Sequence, residues 1–246
     1  MDILGIDIGG SGIKGAIVDV ATGEVKTERY RLETPEGAIP ADVAETVDRV
    51  VKNFKYSGPV GIGFPAVVIH GVCHSAANID ESWVGTNVDA LVGKVTGLPV
   101  HTVNDADAAG VAEMRFGAGR GIERGVVIML TIGTGIGSAV FTDGRLVPNT
   151  ELGHLEIRGK DAERRASDAA RKRKKLSWEE WANRFQEYLE TVEKLFSPDL
   201  IILGGGASKE ADSFLPYLST RAKIIPAQLL NQAGIIGAAI YAKDQG

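Results

Sequence analysis

Near the start of the chain stands Ile3-Leu4-Gly5-Ile6-Asp7-Ile8-Gly9-Gly10-Ser11-Gly12-Ile13-Lys14, an apolar run carrying one carboxylate, a glycine-rich turn and an apolar return. The return continues to Val20, and Thr22-Gly23 turns it into a third strand-like run, so the segment reads as strand, glycine turn, strand. A second copy follows 123 residues later. Val126 to Ile132 is apolar, Gly133-Thr134-Gly135-Ile136-Gly137 is the turn, Ser138 to Phe141 returns, and Asp143-Gly144 makes the next hairpin. Gly10, Gly12, Ile13 and Ala16 align with Gly133, Gly135, Ile136 and Ala139, and the repeat favours two similar α/β halves over one continuous sheet.

Between the copies the periodicity predicts a helix over 41–54, a buried strand over 60–64, a helix over 86–96 and a strand over 100–103. That strand runs into Asn104-Asp105, where an Ala-rich helix starts. Strands alternating with helices imply parallel pairing, and ligands then gather beyond the strands' carboxyl ends. Later, Ser177-Trp178-Glu179-Glu180 forms a capping-box pattern before a helix whose Trp178, Trp181, Phe185, Leu189, Val192 and Phe196 recur at helical spacing, as core residues do. A strand over 200–203 ends in Gly204-Gly205-Gly206. Small residues at helical spacing over 229–243 predict a helix packed closely on another element.

The chain has 246 residues, 44% hydrophobic and 24% charged, with a net charge of −5, which excludes a disordered tail, a coiled coil or a collagen-like repeat. One cysteine, Cys73, and no Cys/His cluster imply a cytoplasmic protein without structural metal. No uncharged stretch reads as a membrane span. Charge is unevenly placed: from Arg158 to Lys175 nine basic residues face three acidic ones, a net +6, so the rest of the chain carries −11. Such a stripe on an acidic protein suits a polyanion, or is simply a solvated helix face. No recognition motif or interleaved aromatic residues point to nucleic acid.

Glycine makes up 31 of the 246 residues, and three glycine turns, at 9–12, 133–137 and 204–206, each follow an apolar strand. Turns without Cβ atoms let consecutive backbone N–H groups face an anion. None fits the Gly-x4-Gly-Lys-Ser/Thr loop or the dinucleotide fingerprint, so a different phosphate-handling fold is required. Asp7 before the first turn and Lys14 after it serve either the phosphoryl end of a substrate or the closing of a hairpin.

Asp-Ile-Gly-Gly-x-x-x-Lys at 7–14, Asn104-Asp105, Thr131-Ile-Gly-Thr-Gly-Ile-Gly137 and Glu151-Leu-Gly-His154 together resemble the ROK family of sugar kinases, over about residues 2–240. The resemblance implies the actin-like ATPase (ribonuclease H-like) fold, two α/β domains flanking a cleft. A smaller N-terminal domain over 1–104, with a C-terminal helix over 228–246 packed back on it, and a larger one over 105–227 are expected. The family's Cys-x-Cys-Gly-x2-Gly-Cys zinc motif is missing between His154 and Glu163. In this the chain resembles the polyphosphate-dependent branch of the family, which follows Gly-His with a basic helix, as Asp161-Ala-Glu-Arg-Arg-Ala-Ser167 and Ala170-Arg-Lys-Arg173 do here.

The implied activity is transfer of a terminal phosphoryl group from inorganic polyphosphate to the 6-hydroxyl of glucose. ATP is a second donor, and a strictly ATP-dependent sugar kinase is the alternative. Asp105 is the implied catalytic base. Asn78, Asn104, Asp105, Glu151, His154 and Glu163 are the implied sugar ligands, with Glu156 an added contact. Asp7, Gly9, Gly10, Ser11, Gly12, Lys14, Thr131, Gly133, Thr134, Gly135 and Gly137 are assigned to phosphate, and Gly204, Gly205 and Gly206 to the nucleotide side. Arg164, Arg165, Arg171, Lys172, Arg173 and Lys174 are assigned to a polyphosphate track. Mg²⁺, carried by the donor phosphates, and a homodimer are also implied. Two readings of another class are a sugar-responsive repressor and a noncatalytic polyphosphate-binding module; family repressors carry a DNA-binding segment before the Asp-Ile-Gly-Gly strand, whereas this chain begins almost at it.

Overall fold

A computed structural model describes residues 1–77 and 79–246. In chain order the first unit contains β1 (Asp2–Gly9), β2 (Gly12–Asp19), β3 (Glu24–Val25), β4 (Tyr30–Leu32), α1 (Pro40–Phe54), β5 (Val60–Phe64), a ribbon of β6 (Val68–Ile69) and β7 (Val72–Cys73), α2 (Val88–Thr96), β8 (Val100–Asn104) and α3 (Asp105–Phe116). The second unit adds β9 (Val126–Ile132), β10 (Ile136–Thr142), β11 (Arg145–Val147), a ribbon of β12 (Glu156–Ile157) and β13 (Lys160–Asp161), α4 (Glu163–Ala166), α5 (Asp168–Arg173), α6 (Trp178–Phe196), β14 (Leu200–Gly204), α7 (Ala211–Phe214) and β15 (Lys223–Pro226). The chain then returns to the first unit as α8 (Ala233–Gln245).

The compact units are 1–112 with 231–246, and 113–230, so the division falls inside α3 and not at 104/105. The sequence places a boundary where the strand ends, but α3 is a continuous helix whose first turns pack with the first unit. One sheet has the order β3-β2-β1-β5-β8, with β4 also on β2, and the other has β11-β10-β9-β14-β15. Both are an antiparallel hairpin extended by two parallel strands, β1-β5-β8 in one and β9-β14-β15 in the other. The glycine-turn repeat is the sequence trace of this shared order. Asp143 and Gly144 both have positive φ, the left-handed pair that a two-residue hairpin needs to match strand twist.

Strand β5 is buried along its whole length, as a parallel strand covered on both faces must be. Helix α8 lies against β1 and β5 at backbone contact: a Cβ on Gly5 would strike the Ile235 carbonyl, one on Gly61 the Ala238 carbonyl, and one on Gly237 the Ala108 carbonyl. The small residues of the C-terminal segment therefore lie against Gly5 and Gly61 of the sheet and against Ala108 of α3.

In the second unit Ser177 closes the predicted capping box: its hydroxyl accepts from the Glu180 N–H at 3.1 Å, while the Glu180 carboxylate accepts from the Ser177 N–H at 2.8 Å. Trp181, Phe185, Tyr188, Leu189 and Val192 on α6 are all buried in the core over β9, β10 and β14. The basic stretch after Gly153-His154 is not one helix. Ser167 is extended and breaks it into α4 and α5, capping the second by accepting from Ala170 N–H at 3.2 Å. No helix among the described residues is long and apolar enough to cross a membrane.

Candidate active site

In the first unit the antiparallel register puts Asp7 opposite Lys14, and Lys14 Nζ lies 3.3 Å from Asp7 Oδ2. Gly9 and Gly12 are paired, leaving Gly10-Ser11 as a two-residue turn. The turn's carbonyls are occupied: Arg31 donates to Ser11 O and Thr34 Oγ1 to Gly9 O, both at 2.5 Å. At Gly12 a Cβ would displace the Arg31 guanidinium. Gly10 is different. It has no positive φ, and a Cβ on it would meet nothing within 4 Å, so neither backbone conformation nor packing demands glycine there. The start of α8 lies over Asp7: a Cβ on Gly234 would come within 3.2 Å of the Asp7 carboxyl carbon.

Asn104 ends β8 and is buried. Its amide oxygen accepts from the N–H groups of Ala106 and Asp107, at 2.9 and 3.1 Å, and its amide nitrogen donates to Ala66 O at 3.2 Å. Asn104 thus caps α3, a strong position for this residue type. Asp105 stands next to it on the first residue of α3, and its Oδ1 also accepts from Ala106 N–H, at 2.8 Å. The carboxylate of Asp105 is thus held at the N-terminus of α3.

In the second unit the 133–137 turn is held from below by Glu163, whose Oε2 accepts from Ile136 N–H at 3.1 Å. A Cβ on Gly135 would meet that carboxylate, so a side chain there would displace Glu163. Gly133 O accepts from Ala169 N–H of α5 at 3.1 Å, while Gly133 itself, like Gly10, has open space and no positive φ. Gly206 shares that property at the third turn. Gly205 beside it has φ +77° and lies so close to the backbone of Ile132 that no Cβ fits. Each of the three turns therefore carries at least one glycine that the protein's own packing does not require, which leaves backbone open to a ligand.

The Glu151-Leu-Gly-His segment is tied to β10. Ser138 Oγ donates to Thr150 O at 2.6 Å and accepts from Leu152 N–H at 2.9 Å. Gly153 lets the 152–154 turn lie on Ile136, whose carbonyl a Cβ would strike. Burial pushes the Glu151 carboxyl above its usual range, His154 pulls it back, and the Glu163 charge raises it further, so these three groups share one neighbourhood. His154 is exposed, and its Nδ1 lies 3.6 Å from Asp161 Oδ2. Glu156 is exposed on β12. Asn78 lies outside the described residues. Among the described residues no three His, Cys, Asp or Glu side chains stand together so as to hold a metal ion.

The basic stripe separates into paired and unpaired cations. Arg171 and Lys172 both bridge Asp168, at 2.9 and 2.6 Å. Burial raises the Asp168 carboxyl, but hydrogen bonds from Lys172 and Arg171 outweigh it and hold it below the usual range. Arg171 also stacks on Trp178, 3.8 Å from the ring centre. Arg165 and Arg158 share Glu187, at 3.2 and 2.7 Å, and Arg164 lies 3.6 Å from Asp161. Arg173 donates only to a backbone carbonyl, that of Arg164, at 3.2 Å, and Lys174 makes no ion pair with a described residue. The pairing carboxylates, and Arg184 on α6, had no signal in the sequence beyond helical spacing.

Residues 3–167 match the ROK family. A polyphosphate glucokinase from Mycobacterium tuberculosis (strain CDC 1551 / Oshkosh) is 49% identical over 237 residues, 96% of this chain and 89% of that one. The crystal structure of inorganic polyphosphate/ATP-glucomannokinase from Arthrobacter sp. strain KM superposes with a TM-score of 0.95 at 53% identity, covering 100% of this chain and 99% of the other. A ROK family glucokinase from Streptomyces griseus, solved in complex with glucose and AMPPNP, does so at 0.83 and 26% identity, with both chains covered completely. The two sheets of like order are those of the two-domain actin-like ATPase fold, and the chain belongs to the ROK family.

Proposed function

We propose that this chain is a polyphosphate-dependent glucokinase, transferring the terminal phosphoryl group of inorganic polyphosphate to the 6-hydroxyl of glucose. The observation that carries this is near full-length identity of 49% and 53% to two proteins whose names both specify polyphosphate. The paired basic segment at the position of the family's zinc motif supports it.

In the first unit Asp105 acts as general base. As the hydroxyl oxygen bonds to the terminal phosphorus, its proton passes to the Asp105 carboxylate. The bond from that phosphorus to the bridging oxygen breaks, and the electron pair leaves with a chain one phosphate shorter. Asn104 caps the same helix and keeps one amide hydrogen for a sugar hydroxyl. In the second unit Glu151, His154 and Glu163 bind sugar hydroxyls, with carboxylates accepting and imidazole donating. The 133–137 turn offers backbone N–H groups to the donor, and Gly204–Gly206 gives room to a nucleotide donor.

Phosphoryl transfer of this kind needs a divalent metal. Mg²⁺ fits: it takes one or two carboxylates and otherwise binds donor phosphates, and Asp7, half-neutralised by Lys14, offers one such carboxylate. When bound it neutralises charge on the transferred group.

The test is a coupled assay for glucose 6-phosphate, with ATP and with polyphosphates of several lengths as donors and glucose and mannose as acceptors. Turnover with polyphosphate is expected. Turnover with ATP alone would overturn the donor assignment and leave an ATP-dependent sugar kinase.

A further inference from the structure

Among the cations of the second unit with no carboxylate within ion-pair distance among the described residues are Lys160 on β13, Arg173 and Lys174 at the end of α5, and Arg184 on α6. Of the rest of the basic stripe, Arg158, Arg164, Arg165, Arg171 and Lys172 are paired with Asp161, Asp168 and Glu187. Glu180, four residues before Arg184 on the same helix, is committed to the capping box. Nη1 of Arg184 is out of contact with solvent and has no hydrogen-bond partner among the described residues. A buried charged donor without an acceptor is costly, and an anion would satisfy it.

These cations stand on elements gathered around α4, which packs against β13, α5 and α6. Lys174 is their common neighbour: the Arg184 guanidinium first, then desolvation, then Arg165, Arg173 and Lys160 hold it below the usual lysine range. Like charges gathered this way repel in the free protein. The nearby indole, Trp178, is covered by Arg171 and packed on Trp181 and Phe214, so it presents no open face on which a base could stack.

We propose that Lys160, Arg173, Lys174 and Arg184 form a subsite for phosphate groups of a polyphosphate chain beyond the one transferred. This rests on the polyphosphate reading above and goes further: it moves the chain-binding residues away from Arg171 and Lys172, whose charge Asp168 already takes up, and adds Arg184 and Lys160. A short donor does not fill the subsite, so it selects for chain length.

The experiment compares wild type, Lys174→Gln, Arg184→Lys and the Lys174→Gln/Arg184→Gln pair. Calorimetric binding of long-chain polyphosphate and of tripolyphosphate is measured at several salt concentrations, alongside KM for both donors and glucose affinity as the control for folding. Lys174 is exposed, so its single variant does not threaten the fold. The double variant is expected to bind long chains about tenfold more weakly and with a shallower salt dependence, and tripolyphosphate nearly as wild type, since each lost phosphate contact removes released counterions. Arg184→Lys should recover most of the loss. Equal loss for both donors, or unchanged long-chain binding, overturns the subsite. A DNA oligonucleotide that competes as well as polyphosphate overturns it in favour of nucleic acid. If wild type binds long chains through these residues but makes no glucose 6-phosphate from them, the subsite stands and the functional reading falls. If wild type turns over polyphosphate and the double variant binds it unchanged, the reading stands and the subsite falls.

Discussion

Asp105 and Asn104 divide their labour at one helix start. Asn104 spends its amide oxygen on capping α3, while Asp105 beside it carries the carboxylate proposed to take the proton. Replacing Asp105 by Asn keeps an oxygen for the Ala106 N–H and removes the proposed base. Turnover should fall about 10²–10⁴-fold, the usual worth of a general base, with glucose affinity by calorimetry nearly unchanged. Glu151 predicts the opposite trade. An acid whose folded pKa is raised binds its proton more tightly in the native state, so its burial costs nothing below the ordinary carboxylate range. The cost grows as pH rises from that range through the raised value. Glu151→Gln should therefore raise Tm at pH 7 and leave it nearly unchanged near pH 4. Glucose affinity should drop in the same variant. Scanning calorimetry at the two pH values checks the sign.

At the level of elements, the packing of α8 rests on glycines in its partners. Gly61 lies in the buried strand β5 under the Ala238 carbonyl. Gly61→Ala forces α8 off the sheet and should cost about 1–3 kcal/mol, the range for overpacking a tight contact, read from the urea midpoint. The equivalent change at Gly10 meets open space within the protein and should leave the midpoint within about 0.5 kcal/mol, as surface substitutions do, while weakening phosphate donors if the turn receives them. The pair separates glycines that the fold needs from glycines that a ligand needs. Sequence reading places Gly10 in a turn and Gly61 inside a strand, but spacing reports where glycine occurs and not what lies opposite it.

For the whole molecule, charge segregation decides the salt response. The chain carries −5 overall, yet its +6 segment at 158–175 includes cations that remain unpaired after folding. Initial rates with subsaturating long-chain polyphosphate should fall more steeply between about 50 and 200 mM salt than rates with ATP, because a polyanion releases more counterions on binding. Equal slopes would contradict polyanion binding at this segment. Much of the architecture is legible in the sequence: the duplicated strand and glycine turn, the capping box of α6, the Asn104-Asp105 strand end and the small-residue C-terminal helix are all local patterns that chain geometry imposes on sequence. The sequence by itself determined the family, the two like-ordered halves and the residue types at each turn. Only the tertiary structure decided that the basic stretch breaks at Ser167, that Asp168 and Glu187 silence four of its cations, and that Arg184 joins the rest from another helix. Pairing between charges depends on which side chains converge in space, and residues 168, 173, 184 and 187 lie on two separate helices whose approach no local pattern records.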